Sequence, residues 1–318
     1  MARQETDAPL SSEPMLGYQR DLYLLAFDHR GSFQKQLLGI SGTPTREEAA
    51  RIADTKTLIF DGFLEAQATG NLGDGAGILV DEEFGTSVAR RAKELGIVLA
   101  MPAEASGRDE FDCEYGSEFA RHIEAFDPTF TKVLVRYNPE SDPGVNERQT
   151  SRLRHLANWL QAHGRKFLFE LLVPPTAEQL DAVDEDRERY DLELRPGLVV
   201  RSIAALQAAG VEADVWKIEG LDDPDDCRRA SEQARRGGRE GVSCIVLGRG
   251  ANAARVAQWL RAGARVPGYR GFAIGRTIWW DALVGFRDRK LSRAGAATQI
   301  AANYLRAVNG YRAAAAAQ

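Results

Sequence analysis

The sequence predicts one α/β domain, a (β/α)8 TIM barrel. Three observations lead there. Short apolar runs alternate with stretches of helical period, the signature of right-handed βαβ units and a parallel sheet. Eight such apolar runs can be counted. Eight closed βα units take about 250 residues, close to what remains of the 318 once the polar start and the alanine-rich end are set aside. A doubly wound open sheet is the alternative. No GxGxxG follows the first run, which counts against a Rossmann arrangement.

Residues 1–18 are polar and rich in turn formers, and read as a flexible N-terminal arm. The expected strands are Leu22–Phe27 before Asp28, Gly77–Val80 before Asp81, Ile97–Met101 ahead of Glu104, and Thr131–Tyr137. Phe167–Val173, Val215–Ile218, Cys244–Leu247 and Phe272–Ile274 complete the set. They are short and rich in Val, Ile, Leu or Phe, as strands buried on both faces should be. Between them Thr45 and Glu48 form a capping box, and Ile52, Ile59, Phe60 and Phe63 share one helical face. Leu153, Leu156 and Leu160 have the same spacing, as do Val256, Trp259 and Leu260, and Ile300, Tyr304 and Val308. The run Ala313–Ala317 looks like a fraying extension of the last helix. The expected division is therefore an arm at 1–18, a single barrel at 19–312 and a tail at 313–318. The polar insertion Pro174–Pro196, with its charge run Asp184–Arg189, reads as a solvated short helix and loop. A cover over the active face is the functional alternative, because it follows a strand.

A hydrophobic fraction of 44% supplies a sizeable core and rules out disorder over most of the chain. Lys and Arg number 41 against 46 Asp and Glu, a net charge of −5, so no nucleic-acid partner is expected. No apolar run approaches the roughly 20 residues of a membrane helix, and the N-terminus has no apolar signal core. The expectation is a cytoplasmic protein with no membrane partner. Cys113, Cys227 and Cys244 lie far apart, without disulfide or CxxC spacing. His29, His122, His155 and His163 are too few and too scattered for a His-rich metal centre, with a mixed His/carboxylate site as the open alternative; the expectation is no metal and no other cofactor. Barrels of this kind often self-associate. A homo-oligomer with Trp279, Trp280 and the last helix at the contact is one reading of those tryptophans; packing between helices and barrel is the other.

Ionisable residues inside a buried strand, or at its C-terminal end, are expensive unless paired, and they gather where a barrel does its chemistry. Here they are Asp28, Lys132, Arg136, Glu170, Lys217 and Glu219. Period-two geometry puts Lys132 and Arg136 on one side of their strand, and Lys217 and Glu219 on one side of theirs. Burial or a neighbouring cation such as Lys132 would favour the neutral amine of Lys217, the form that attacks a carbonyl. A buried pair with Glu219 or Glu170 is the structural alternative. The last two strands run into Gly248-Arg249 and Gly275-Arg276 at helix starts. Glycine lets the backbone approach an anion, helix N-termini offer free N–H groups, and arginine suits phosphate. Loops after strands seven and eight are where barrels frequently bind phosphate.

Ala26-Phe-Asp-His-Arg-Gly31 resembles the start of the tagatose-bisphosphate aldolase group of class I aldolases. Ile78-Leu-Val-Asp-Glu-Glu-Phe-Gly85 and Lys132-Val-Leu-Val-Arg-Tyr-Asn-Pro139 resemble its second and fourth strands, and Val215-Trp-Lys-Ile-Glu219 its Schiff-base strand. The likeness is strongest to the aldolase-like domain fused behind 5-dehydro-2-deoxygluconokinase in myo-inositol breakdown. It covers roughly residues 20–310. The resemblance implies a (β/α)8 barrel, Lys217 as Schiff-base lysine, Asp28, Lys132 and Glu170 around it, and Arg276 as a phosphate ligand. His29 stands where the tagatose enzymes usually have Gln, which favours the inositol branch. No kinase segment is present, so phosphorylation is expected from a separate protein.

The implied reaction is aldol cleavage of a phosphorylated keto-sugar through an imine on Lys217. The expected substrate is 6-phospho-5-dehydro-2-deoxygluconate, giving dihydroxyacetone phosphate and malonate semialdehyde. Tagatose 1,6-bisphosphate or a sulfosugar phosphate is the alternative. Glu170, or else Asp28, would take the β-hydroxyl proton. Lys132 would hold hydroxyls and lower the Lys217 pKa. Arg276, Gly275, Gly248 and Arg249 would grip the phosphate, with Arg136 for the far carboxylate and His29 nearby. A phosphosugar isomerase and a catalytically silent phosphosugar-binding barrel are the rival readings.

Overall fold

The structure is a computed structural model and describes residues 16–317. Eight parallel strands close into one barrel in sequence order, the first pairing with the last. They are β1 (Leu22–Ala26), β2 (Ala76–Leu79), β3 (Val98–Pro102), β4 (Phe130–Arg136), β5 (Lys166–Leu172), β6 (Val215–Glu219), β7 (Ser243–Leu247) and β8 (Tyr269–Ile274). Each overlaps an expected run. The largest difference is β8, which starts three residues early because Gly271 interrupts its apolar pattern.

The helices form the outer layer. In chain order they are α1 (Gly31–Leu38), α2 (Arg46–Thr69), α3 (Glu82–Glu94), α4 (Phe119–Phe126), α5 (Pro143–Ala162), α6 (Ala177–Asp181) and α7 (Arg187–Arg189). Then follow α8 (Arg195–Ala208), α9 (Pro224–Arg235), α10 (Ala253–Ala264), α11 (Arg276–Arg287) and α12 (Arg293–Ala316). The Thr45–Glu48 capping box opens α2. Among the described residues no helix is long and apolar enough to cross a membrane.

The pleat explains where the site lies. Alternate residues of each strand point inward. Leu22, Leu24, Ala26, Phe130, Leu168 and Val215 form an apolar cluster inside the barrel, separate from the larger one between strands and helices. The same inward series continues toward the C-terminal ends of the strands as Lys132 after Phe130, Glu170 after Leu168, and Lys217 after Val215. The barrel thus has an apolar floor and a charged storey above it. The ring of Tyr18 packs edge-on against Phe130, centroids 4.9 Å apart.

That contact revises the arm expected at 1–18. Its last residues are docked: the Gly17 N–H donates to Asp214 Oδ1 at 2.7 Å. Residues 1–15 lie outside the described residues. At the other end α12 runs on to Ala316 with Ala314 buried, so the alanine run continues the helix. Trp279 is fully buried and donates to the Ala26 carbonyl at 2.9 Å, which places it inside the barrel wall and not at a contact between copies.

The insertion at 174–196 holds α6, α7 and the π-turn Tyr190–Leu194. Most of the charge run Asp184–Arg189 faces solvent. Its far end is anchored, with the Tyr190 hydroxyl donating to the Val173 carbonyl and Arg195 to that of Gly220.

Candidate active site

A cavity of about 390 Å³ opens at the C-terminal face of the barrel. All ten residues expected at the site line it: Asp28, His29, Lys132, Arg136, Glu170, Lys217, Gly248, Arg249, Gly275 and Arg276. The segment after β3, residues 104–108, also lines it, and no residue of the 174–196 insertion does.

Lys132 is the hub. Only 1% exposed, its ammonium meets Asp28 Oδ2 at 2.8 Å, Glu104 Oε1 at 2.7 Å and Glu170 Oε2 at 3.0 Å. It donates hydrogen bonds to Asp28 and Glu104 and meets Glu170 as an ion pair. Burial works against its charge. Asp28, Glu104 and Glu170 outweigh burial and hold the ammonium well above the usual lysine range. Among the described residues no set of His, Cys, Asp and Glu is arranged to hold a metal ion. The ammonium sits where a cation between these carboxylates would.

Strand register brings Lys217 beside Glu170, since the two are Cα partners across β5 and β6. Lys217 Nζ lies 2.9 Å from Glu170 Oε2, the same oxygen that meets Lys132. Burial disfavours the Glu170 carboxylate, but the two lysines outweigh it and lower its pKa. Asp28 is likewise held well below the carboxylate range, with Lys132 and then Lys217 overriding burial. His29 follows Asp28, its Nδ1 3.9 Å from Asp28 Oδ1 and without a hydrogen-bond partner among the described residues. Burial, aided by Arg276 and Lys56, lowers its pKa to about 4 against the pull of Asp28, so the ring is neutral at pH 7.

Glu219 does not pair with Lys217. It meets Arg249 Nε at 2.9 Å and accepts the Val173 N–H at 3.1 Å. Arg249 also meets Asp191 Oδ2 of the insertion at 2.6 Å. Its guanidinium is therefore held between two carboxylates. Arg276 has no hydrogen-bond or ion-pair partner among the described residues. It lies over Gly250, where a Cβ would stand 2.3 Å from its Nη2. Gly275, the N-cap of α11, is pressed so close to Ala26 that a Cβ would stand 2.3 Å from that carbonyl oxygen. Gly248 packs beneath against Ile274. Arg136 sits at the rim, donating to the Arg108 carbonyl at 3.0 Å with Asp109 4.0 Å away.

Two site residues escape the sequence reading. Glu104 completes the hub, and Arg30 donates to the Glu104 carbonyl at 2.8 Å while pairing with Glu114 at 2.9 Å. The signal for Glu104 is the one that marks Asp28, an acid just beyond a strand. Here Pro102 and Ala103 separate it from the apolar run.

Lys56 supports the site from outside the barrel. Fully buried on α2, it donates to the carbonyls of Phe27 at 2.7 Å and His29 at 3.0 Å, and pairs with Asp81. Both carbonyls flanking Asp28 are thus fixed. Removing one partner of such a pair costs about 3–5 kcal/mol. Lys56→Met is expected to lose stability on that scale in urea unfolding; a loss under 1 kcal/mol (about the median of an exposed pair) would deny Lys56 this part.

The C-terminal mouth of this (β/α)8 barrel thus holds two buried lysines that share Glu170, and an arginine at a helix start with no partner among the described residues. The chain belongs to the family described as "Uncharacterized protein conserved in bacteria (DUF2090)", which matches residues 15–315. No curated protein matches the sequence.

Proposed function

We propose that this chain is a class I aldolase that cleaves a phosphorylated keto-sugar acid through an imine on Lys217. The observation that carries the reading is Lys217 itself. It is buried at the inner end of an open cavity, with Glu170 at 2.9 Å to exchange protons.

The chemistry runs in four steps. Lys217 passes a proton to Glu170 and adds as a neutral amine to the ketone carbon. The carbinolamine hydroxyl takes that proton and leaves as water, giving an iminium. The iminium then draws in the electrons of the neighbouring carbon–carbon bond, while the β-hydroxyl gives its proton to Glu170 and becomes an aldehyde. Finally the enamine is protonated at carbon, and water releases the ketone and regenerates Lys217.

The cations suit a substrate with an anion at each end. Arg276 follows β8 and Arg136 ends β4, four strands apart in a ring of eight, so they face each other across the mouth. Phosphate at Arg276 and the free N–H groups of α11, with carboxylate at Arg136, would hold the ketone over Lys217. 6-Phospho-5-dehydro-2-deoxygluconate fits this pattern and yields dihydroxyacetone phosphate and malonate semialdehyde. Tagatose 1,6-bisphosphate and sulfosugar phosphates are the comparison substrates.

Borohydride reduction with dihydroxyacetone phosphate, followed by peptide mapping, is expected to place an adduct on Lys217. Binding without an adduct would mean a phosphosugar-binding barrel instead. Arg276→Gln should remove the guanidinium from the mouth. The dihydroxyacetone phosphate concentration for half-maximal trapping should then rise about tenfold, the loss of one charge-assisted contact. No rise would remove Arg276 from the phosphate site.

A further inference from the structure

The Lys132 hub holds more acids than bases. Asp28, Glu104 and Glu170 are gathered on Lys132 and Lys217. Surplus negative charge is costly in so buried a set. The three acids are not equivalent. Asp28 is bonded by Lys132 and lies in the field of Lys217. Glu170 touches both lysines. Glu104 touches Lys132 alone, through Oε1, and its Oε2 is buried with no hydrogen-bond partner among the described residues. Its side chain is only 10% exposed. A bare buried oxygen is far more costly on a carboxylate than on a neutral carboxyl.

We propose that Glu104 carries the extra proton of the hub and, by staying neutral, acts through Lys132 as the positioning residue that keeps Glu170 ionised for proton transfer at Lys217. The catalytic half rests on the aldolase reading; the proton itself does not. Contacts of 2.7, 3.0 and 2.9 Å link Glu104 to Lys132, Lys132 to Glu170, and Glu170 to Lys217. With Glu104 neutral, two carboxylates face two lysines. With Glu104 ionised, a third anion draws on Lys132, and Glu170 holds its proton more tightly.

The groups facing Glu104 can be named. Lys132 comes from β4 and Asp28 from the end of β1, with Glu170 of β5 behind Lys132. Arg30, at the head of α1, bonds the Glu104 carbonyl and pairs with Glu114. Cys113 lies opposite in a backbone bridge. Lys132 and Arg30 favour ionisation. Burial, reinforced by Asp28, outweighs them, and the pKa of Glu104 is raised.

Two measurements test the proposal. Infrared spectra of unliganded protein labelled with ¹³C-glutamate should show one protonated glutamate carboxyl at pH 7, absent in Glu104→Gln. A wild-type spectrum without that band, or the same band in the variant, overturns it. Should Glu104→Gln not fold, Glu104→Asp keeps the acid without the label and must lose the labelled band. The second readout is deuterium uptake from solvent into dihydroxyacetone phosphate, followed by NMR against pH. In the wild type, uptake should fall as pH rises through the titration of Glu104. In Glu104→Gln that limb should disappear, with a rate lower by about tenfold at most; an unmoved limb overturns the positioning role. A band without wild-type uptake defeats the aldolase reading and supports the proton on Glu104. Uptake without the band overturns the assignment to Glu104 and leaves the aldolase reading intact.

Discussion

Lys217→Met is expected to lose the borohydride adduct completely and to lower turnover of a phosphorylated keto-sugar by at least about 10⁴-fold. Glu170→Gln should behave differently. It leaves the nucleophile in place, so an adduct still accumulates, while carbon–carbon cleavage slows by about 10²–10⁴-fold for want of a proton acceptor. Measuring trapping and turnover on the same preparations separates the two roles. The fold should survive Lys217→Met, because a linear apolar chain fits the channel above Val215 and Glu170 keeps Lys132 as partner. Substantial turnover by Lys217→Met would favour an isomerase that uses a carboxylate base.

Lys132→Met should strongly destabilise the fold. It leaves Asp28, Glu104 and Glu170 buried without their shared cation. The expected loss near neutral pH is about 3–5 kcal/mol, and its pH dependence is distinctive. In the wild type Asp28 and Glu170 are held below their ordinary values. Their contribution is therefore present above about pH 4 and fades as pH falls through their folded-state values. Without Lys132, burial dominates and the folded-state values rise. The folded state then binds more protons than the unfolded one, and stability is lost as pH climbs. Calorimetry should thus find Lys132→Met melting higher at pH 5 than at pH 8. A variant that melts higher at pH 8 would show that Lys132 does not balance these acids.

Strands and helices were legible because burial on both faces makes a strand visibly apolar, and because Thr45–Glu48 and the 3.6-residue spacing are local signals. The polar residues that interrupt these runs, Asp28, Lys132, Glu170 and Lys217, were legible for the same reason. Partners were not. Lys217 and Glu219 share a side of β6, yet strand tilt in a closed barrel sets them in successive layers. Glu219 therefore reaches Arg249 at the rim, while Lys217 reaches Glu170 on the next strand. Arg249 shows the same limit. Nothing in the Gly-Arg after strand seven discloses that Asp191, 58 positions away in sequence, meets its guanidinium. The insertion after β5, which reads as a solvated helix and loop with a cover as the alternative, lines none of the cavity, whereas residues 104–108 do. Neither insertion length nor charge encodes which loop leans inward.

The charged storey above the apolar floor sets two demands on the chain against each other. Removing one member of the hub should weaken the fold, but replacing the whole set with well-packed apolar side chains is often neutral or stabilising. The shortest evolutionary path to a more heat-resistant barrel therefore passes through this layer, continuing the floor of Phe130, Leu168 and Val215 upward. A laboratory selection on melting temperature alone should erase Lys132, Glu170 and Lys217 together. Selection on substrate consumption has to retain all three and find its stability elsewhere, in the helices and loops around the wall.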